Sequence, residues 1–173
     1  MKQKKDTETN NSASNPERPL LRIPNLEYGV LDNLLGFALR RAQNTLFMDF
    51  YRATVDYDIS PQRFAALVLI AENKNIRQAQ LAEALGLHRS GALRLVAWLS
   101  ERGWVERHDD DIDARAWGVS LTQAGSTILG ELTKVVQEHD FNIQRIVGDR
   151  NSQLKTDLEL IAKNGLTAIN VEN

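Results

Sequence analysis

The sequence predicts a mainly α-helical fold that carries one small β-hairpin. Apolar residues recur at three- and four-residue spacing in several long segments, which is the pattern of amphipathic helices. Two of these segments are separated by a short turn that contains Gly86. Two short stretches rich in β-branched and aromatic residues lie on either side of the aspartate-rich segment DDDIDAR, residues 109–115, as the strands of a hairpin would.

The composition is that of an ordinary globular protein, with 42% hydrophobic and 25% charged residues among 173. The chain has no cysteine, which excludes disulfides and thiolate metal sites and leads us to expect a cytoplasmic protein. We expect no membrane span and no secretory signal, because no apolar run is long enough and no apolar stretch follows the first lysines. The net charge is −2, so binding to nucleic acid would have to depend on local positive charge.

The first long helix is predicted over residues 27–54. Its apolar positions keep helical spacing throughout: Leu31, Leu34, Leu35, Ala38, Leu39, Ala42, Leu46 and Phe50. A helix of this length exceeds the needs of one small core, so we expect it to pack against a partner chain. Residues 1–19 are polar and proline-containing, and we expect them to form a disordered tail.

A helix-turn-helix is predicted in the middle of the chain. Ser60 and Pro61 form a typical helix start, an N-cap followed by proline, and the helix that follows is apolar on all sides, as a buried central helix would be. A brief helix over 78–85 ends at Gly86, which suits a left-handed cap. The next helix runs to Arg102. Two helices joined by a three- or four-residue turn that contains glycine define this motif.

The hairpin follows directly, with strands predicted at 104–108 and 117–121. Thr122 can cap a helix over 123–146, and a last helix is predicted over 151–169. A hairpin in this position turns a helix-turn-helix into a winged helix.

The chain therefore divides into four predicted segments. The winged helix-turn-helix domain occupies 58–121, and the helices on its two sides, 27–54 and 123–169, form a helical dimerisation region. The tail, 1–19, precedes them.

The hairpin tip permits three interpretations. Asp109, Asp111 and Asp113 imitate the start of a calcium-binding EF-hand loop, but the glycine and glutamate that such a loop needs at its sixth and twelfth positions are missing. A solvated acidic turn is the second interpretation, because aspartate favours turns. In the third, the tip of the wing lies over a minor groove, where Arg115 meets concentrated negative potential and Asp113 orients its guanidinium. We favour the third for Asp113 and Arg115 and the second for the other aspartates.

The segment from 81 to 125, LAEALGLHRSGALRLVAWLSERGWVERHDDDIDARAWGVSLTQAG, resembles the winged-helix core of the MarR family of bacterial transcriptional regulators. No single dipeptide is diagnostic, but the ordered set of positions over about forty-five residues is specific. The matching positions include Leu81, Leu85, Gly86, Arg89, Ser90, Arg94, Leu99, Gly103, Arg107, Asp113, Arg115, Leu121 and Thr122.

The resemblance implies a homodimer in which the first and last two helices of each chain interlock. It also implies binding to a pseudo-palindromic, double-stranded DNA operator, usually as a repressor, and release by a small aromatic acid or its CoA thioester. The stretch FALRRAQ, residues 37–43, looks similar to the corresponding segment of the hydroxycinnamoyl-CoA-responsive branch of the family. The chain departs from the family pattern at His88, Gly91, Leu93 and Ala114, so its operator sequence does not follow from relatives.

The helix after the turn is the predicted recognition helix. Between His88 and Arg102 it has three arginines and one glutamate, a local net charge of +2. Arg89 or Arg94 can read guanine, Leu93 can pack on a thymine methyl group, and Gly91 allows close backbone approach. The full predicted DNA-binding set is Gln78, His88, Arg89, Ser90, Gly91, Leu93, Arg94, Asp113 and Arg115.

A ligand site is predicted on the first helix from Phe37, Arg40, Arg41 and Asn44, which supply an aromatic wall, two cations and an amide. Adjacent arginines suit a carboxylate or the phosphates of an acyl-CoA. A solvated helix face or an intersubunit salt bridge is the alternative for the same residues.

No catalytic signature is present in the sequence: it has no phosphate-binding loop, dinucleotide-binding glycine pattern, nucleophile elbow, zinc-protease motif or cysteine nucleophile. We therefore predict that the protein is not an enzyme. The three histidines fall on different elements, so we expect no metal site and no cofactor. The alternative function is a winged helix that binds another protein instead of DNA, against which Arg89, Arg94 and Arg115 argue.

Overall fold

The computed structural model describes residues 20–109 and 117–164, and most of these residues are helical. The predicted tail, the hairpin tip and the end of the last predicted helix lie outside the described residues. The elements are, in chain order, a 3-10 turn at Gly29–Asn33, α1 (Leu35–Ala53), a 3-10 turn at Val55–Tyr57, α2 (Pro61–Glu72), β1 (Ile76–Arg77), α3 (Gln78–Ala84), α4 (Arg89–Glu101), β2 (Val105–Asp109), β3 (Trp117–Leu121), α5 (Gln123–Val147), a 3-10 turn at Gly148–Arg150 and α6 (Asn151–Asn164). The predicted fold class, mainly α with a small β wing, is confirmed. Across these two ranges, no helix combines the length and apolarity needed to cross a membrane.

The start of the first helix differs from the prediction. Helix α1 begins at Leu35 rather than near residue 27, because Leu34 is extended, with φ −93° and ψ 115°. Gly29 has φ +56°, which an α-helix does not accommodate, and a separate 3-10 turn begins at this residue. Apolar periodicity alone missed this break, since the apolar spacing continues across it.

The caps predicted from the sequence are present. The Ser60 hydroxyl accepts a hydrogen bond from the Arg63 backbone N–H at 3.3 Å, and Pro61 occupies the first turn of α2. Helix α2 buries Ala66, Leu67 and Ile70, which confirms its predicted central position.

The hydrophobic core lies where α2, α3, α4 and the sheet meet the first half of α5. It includes Ile59, Leu67, Ile70, Leu81, Val96, Leu99, Val105, Val119 and Leu132, together with Phe50 from α1. Full burial of one such side chain stabilises a fold by about 1.5–3 kcal/mol. The helix-turn-helix is therefore held by the same core as the hairpin.

The sheet has three antiparallel strands in the order β1-β3-β2, and the first of them was not predicted. Ile76 pairs with Val119, and two residues are too few to show alternation in the sequence. The Ser120 hydroxyl donates to the Asn75 side chain at 2.7 Å beside this pairing. Strand β1 thus fixes the start of α3 to the hairpin.

The start of helix α5 packs against Gly103 and Trp104, the residues that precede strand β2. The Thr122 hydroxyl accepts from the Gly125 N–H at 2.9 Å and donates to the Gly103 carbonyl at 2.6 Å, which confirms the predicted cap. The Thr122 N–H donates to the Trp104 carbonyl at 3.0 Å. The 25-residue helix α5 is therefore anchored to the winged helix at its N-terminus.

Candidate nucleic-acid interface and ligand site

The turn between α3 and α4 is tightly fixed by backbone geometry. Gly86 has φ +62°, and the Leu87 N–H donates to the Ala82 carbonyl at 2.8 Å. A side chain at Gly86 would be strained in this left-handed conformation, so glycine is required for the turn. Helix α4 then begins at Arg89 after four connecting residues, as a helix-turn-helix demands.

His88 occupies the N-cap position of α4 with extended backbone, φ −66° and ψ 154°. Within the described part of the chain, its side chain makes no capping hydrogen bond, in line with its departure from the family pattern. The His88 carbonyl accepts the first backbone bonds of the helix, from Gly91 at 2.9 Å and Ala92 at 3.1 Å. The imidazole is exposed and stands at the start of the recognition helix.

Helix α4 has one buried and one exposed face. Ala92, Leu95, Val96 and Leu99 are buried, whereas Arg89, Ser90, Leu93 and Arg94 are exposed. Leu93 is 47% exposed between two arginines, which leaves an apolar side chain available for an external partner. The predicted orientation of this helix agrees with the structure.

Gly91 lies at the edge of the exposed face and is half-buried beside Leu87. A Cβ at this position would stand 3.4 Å from the Leu87 Cδ2 atom, an ordinary van der Waals contact. Gly91 therefore faces the turn more than it faces outward, and the exposed face depends on its neighbours.

A groove of about 540 Å³ connects the first turns of α3 and α4 with Trp117, at the tip end of β3. Gln78 is half-buried in it, and its side-chain amide donates to the Arg89 carbonyl at 3.3 Å, which links the two helix starts. The lining residues are Arg77, Gln78, Ala79, Ala82, Glu83, Leu87, Arg89 and Trp117. Two cations and one carboxylate among them leave the groove with positive character.

Two residues on the tip-side half of the hairpin strands were given no functional role from the sequence. The Arg107 guanidinium lies 4.5 Å from the centre of the Trp117 ring. Because Arg107 pairs with Val119, Trp117 is its diagonal neighbour across the ladder, a relation that only the strand register reveals. Asp113 and Arg115, which were predicted to act at the tip, lie outside the described residues.

The arginine at the C-terminal end of α4 is engaged elsewhere. Arg102 and Arg63 both approach the Trp98 ring, at 3.5 Å and 3.8 Å from its centre, and Arg102 donates to the Asp58 carboxylate at 3.0 Å. Burial, together with the nearby Arg102 charge, lowers the pKa of the Arg63 guanidinium. Arg102 is therefore engaged in contacts within the protein, and the outward positive charge of the recognition helix comes from Arg89 and Arg94.

Three of the four predicted ligand residues share one face of α1. Phe37 and Arg41 are half-buried, and the Arg41 guanidinium lies 6.0 Å from the Phe37 ring centre. Asn44 is only 7% exposed. Arg40 is exposed on the flank of this face. The structure thus brings an aromatic ring, a cation and a buried amide together.

The fold and this site define a winged helix-turn-helix protein with an exposed, arginine-bearing recognition helix. Comparison with known proteins agrees: a family model described as "MarR family" matches residues 57–116. The chain belongs to the MarR family and is a DNA-binding transcriptional regulator, not an enzyme.

Similar proteins include transcriptional regulators, by their names. The chain is 28% identical over 152 residues to a protein assigned to transcriptional regulation of the hcr operon of Thauera aromatica, covering 86% of this chain and 92% of that protein. The transcriptional repressor CouR bound to a 23-mer DNA duplex is 31% identical, with a TM-score of 0.77 over 79% of this chain and 98% of that one. CouR bound to p-coumaroyl-CoA is 27% identical, with a TM-score of 0.72 over 80% of this chain and 97% of that one.

Proposed function

We propose that this protein is a homodimeric repressor that binds a pseudo-palindromic operator and is released by an aromatic acid or its CoA thioester. The observation that carries the proposal is the exposed face of α4, where Arg89, Ser90, Leu93 and Arg94 project from the exit of a helix-turn-helix. Arginine and an apolar side chain on one helix face suit guanine and the thymine methyl group of a major groove. The similarity to DNA-bound CouR supports this assignment.

The remaining DNA contacts are assigned around this face. Gln78 and His88 lie at the starts of α3 and α4, where a phosphate can approach, and Gly91, half-buried beside Leu87, follows in the first turn of α4 as a further predicted contact. At the hairpin tip, Arg115 would enter the minor groove and Asp113 would orient it. The winged helix over 58–121 is thus the proposed DNA-binding domain.

Dimerisation is assigned to the helices on either side, 27–54 and 123–169. None of the described residues of α6 is buried within one chain. Its apolar residues Leu154, Leu158 and Ile161 follow helical spacing and are exposed, as are Leu35 and Phe47 of α1, Phe141 of α5 and Ile146 near its end. Since a soluble monomer rarely exposes a contiguous apolar surface of this kind, a second copy of the chain is the proposed cover.

The effector site is assigned to Phe37, Arg40, Arg41 and Asn44. Phe37 offers a ring for stacking, and the arginines offer charge to a carboxylate or phosphate. The similarity to CouR bound to p-coumaroyl-CoA favours an aromatic acyl-CoA over other anions.

Substituting Arg94 with alanine is expected to change which operator sequence is preferred. Loss of one bidentate base contact costs about 1–3 kcal/mol at a single base pair, so discrimination at that position should fall roughly 5- to 150-fold. Competition binding with duplexes that vary one base pair at a time measures this. Arg52→Ala, which removes an exposed cation at the end of α1, is the control and should leave the preference unchanged. Equal base preferences in Arg94→Ala and wild type would contradict the assignment.

A gel-shift assay with DNA flanking its own gene tests the function as a whole. We expect a specific complex that p-coumaroyl-CoA dissociates more effectively than unrelated anions do. Absence of any specific complex would instead favour the winged helix as a protein-interaction module.

A further inference from the structure

Residues 20–28, here called the strap, fold back along α1 and contact it through Leu20, and Arg22 pairs with the turn that precedes α1. At one end the Leu20 N–H donates to the Asn44 side-chain oxygen at 2.9 Å, and the Arg41 Nε–H donates to the Leu20 carbonyl at 2.9 Å. Two residues further on, Arg22 pairs with Asp32 and lies 4.9 Å from the centre of the ring of Tyr28, the last residue of the strap. The strap therefore uses the backbone of one residue, Leu20, to engage two side chains of α1.

These two side chains are the ones proposed to bind the effector. Asn44 is buried, and its side-chain oxygen accepts from Leu20, so removing Leu20 without replacing this donor is unfavourable. A molecule that replaces Leu20 can offer an acceptor to Arg41 and can pair with the Asn44 amide, which both donates and accepts. The aromatic wall beside them, Phe37, lies 6.1 Å from the Tyr28 ring of the strap.

The strap is weakly held within one chain. Leu21, Ile23 and Leu26 are exposed, so they contribute little burial. What remains is a small number of hydrogen bonds and a partly exposed ion pair between Arg22 and Asp32, each of which contributes little to stability. A ligand with a comparable set of contacts can exchange with it.

We infer that Leu20 is a built-in occupant of the effector site and that the effector displaces it from Arg41 and Asn44. The inference rests on the proposed function and narrows its ligand class. A CoA thioester carries secondary amides, each of which has one N–H and one carbonyl, whereas the carboxylate of a free aromatic acid offers acceptors only. One amide of the pantetheine arm offers the same N–H and carbonyl pair as the Leu20 backbone, and this match favours the thioester.

The test uses p-coumaroyl-CoA and free p-coumarate with the full chain. Arg22→Ala loosens the strap without touching Arg41 or Asn44, and Arg52→Ala removes the same charge elsewhere on the surface. We expect Arg22→Ala to bind p-coumaroyl-CoA about three- to tenfold more tightly than wild type, and Arg52→Ala to bind it as wild type does. Operator affinity without ligand should be the same in all three proteins.

A direct readout is available because the chain has no cysteine. A spin label at Leu21→Cys should become more mobile when p-coumaroyl-CoA is added, and should respond much less to p-coumarate. The inference would be overturned if wild type bound p-coumaroyl-CoA, Arg22→Ala bound it more weakly, and the mobility of the label at Leu21→Cys did not change. The strap would then be a wall of the binding site and not an occupant that leaves it. That result would leave the proposed function standing. Binding only to Arg22→Ala would support the inference, and binding to neither protein would overturn both the inference and the proposed effector.

Discussion

Replacing Leu158 with aspartate is expected to convert the protein into a monomer that no longer binds its operator with useful affinity. Leu154, Leu158 and Ile161 form one stripe of α6, and each is about 40% exposed in a single chain (41%, 41% and 42%). A carboxylate in the middle of a buried apolar interface loses its hydration without a partner, which costs several kcal/mol. Loss of the second half-site removes the avidity of two linked recognition helices, so operator affinity should fall at least about 100-fold.

Sedimentation equilibrium and gel-shift titration measure the two parts of this effect. Thr156→Asp introduces the same charge on the same helix but away from the stripe, and it should remain dimeric and bind the operator. A dimeric Leu158→Asp protein with normal operator affinity would show that α6 does not form the dimer interface.

The second large effect is expected at Gly125, where α5 crosses the start of the hairpin segment. An added Cβ would lie 1.9 Å from the Trp104 carbonyl oxygen and 2.8 Å from its carbon, both of them backbone atoms. The helix or the hairpin must therefore shift, and we expect Gly125→Ala to lower the free energy of unfolding by about 3 kcal/mol or more. A decrease of this size corresponds to a fall in Tm on the order of 10 °C.

Gly130, one and a half turns further along α5, is the matched control. A Cβ there would meet no described atom within 4 Å, and alanine is the better helix former by about 1 kcal/mol. Thermal unfolding followed by circular dichroism, at one protein concentration, should therefore move in opposite directions for the two variants. Equal stability of both would mean that α5 does not dock tightly on Trp104.

Local signals in the sequence predicted much of the fold. Ser60 and Thr122 cap helices through bonds to residues three positions further on, and Gly86 forms a turn through its own backbone conformation. Such local features can be recognised without the tertiary structure. The same holds for the buried stripe of α4, because helical spacing determines which residues share a face.

Long-range contacts could not be predicted in this way. Leu20 engages Asn44 from 24 residues away, and nothing in the spacing of the two residues indicates the contact. Strand β1 is too short to show alternation, and it exists because Ile76 finds Val119 across the sheet. These features depend on the path of the whole chain.

The outward positive charge of the recognition helix was overestimated because a long-range contact of Arg102 could not be predicted from the sequence. Counting residues assigns Arg102 to the positive surface, but its guanidinium is engaged by Trp98 and Asp58. Sequence reasoning placed Arg89 and Arg94 correctly on the outward face of α4, since that depends only on helical period.

The most direct test of the central claim is a hydroxyl-radical footprint of the protein on its operator, combined with the protein-to-duplex stoichiometry. We predict two chains per duplex and two protected regions related by two-fold symmetry, with centres about 10–10.5 base pairs apart. One chain per duplex, or a single protected region without symmetry, would contradict a dimer that presents two recognition helices to successive major grooves.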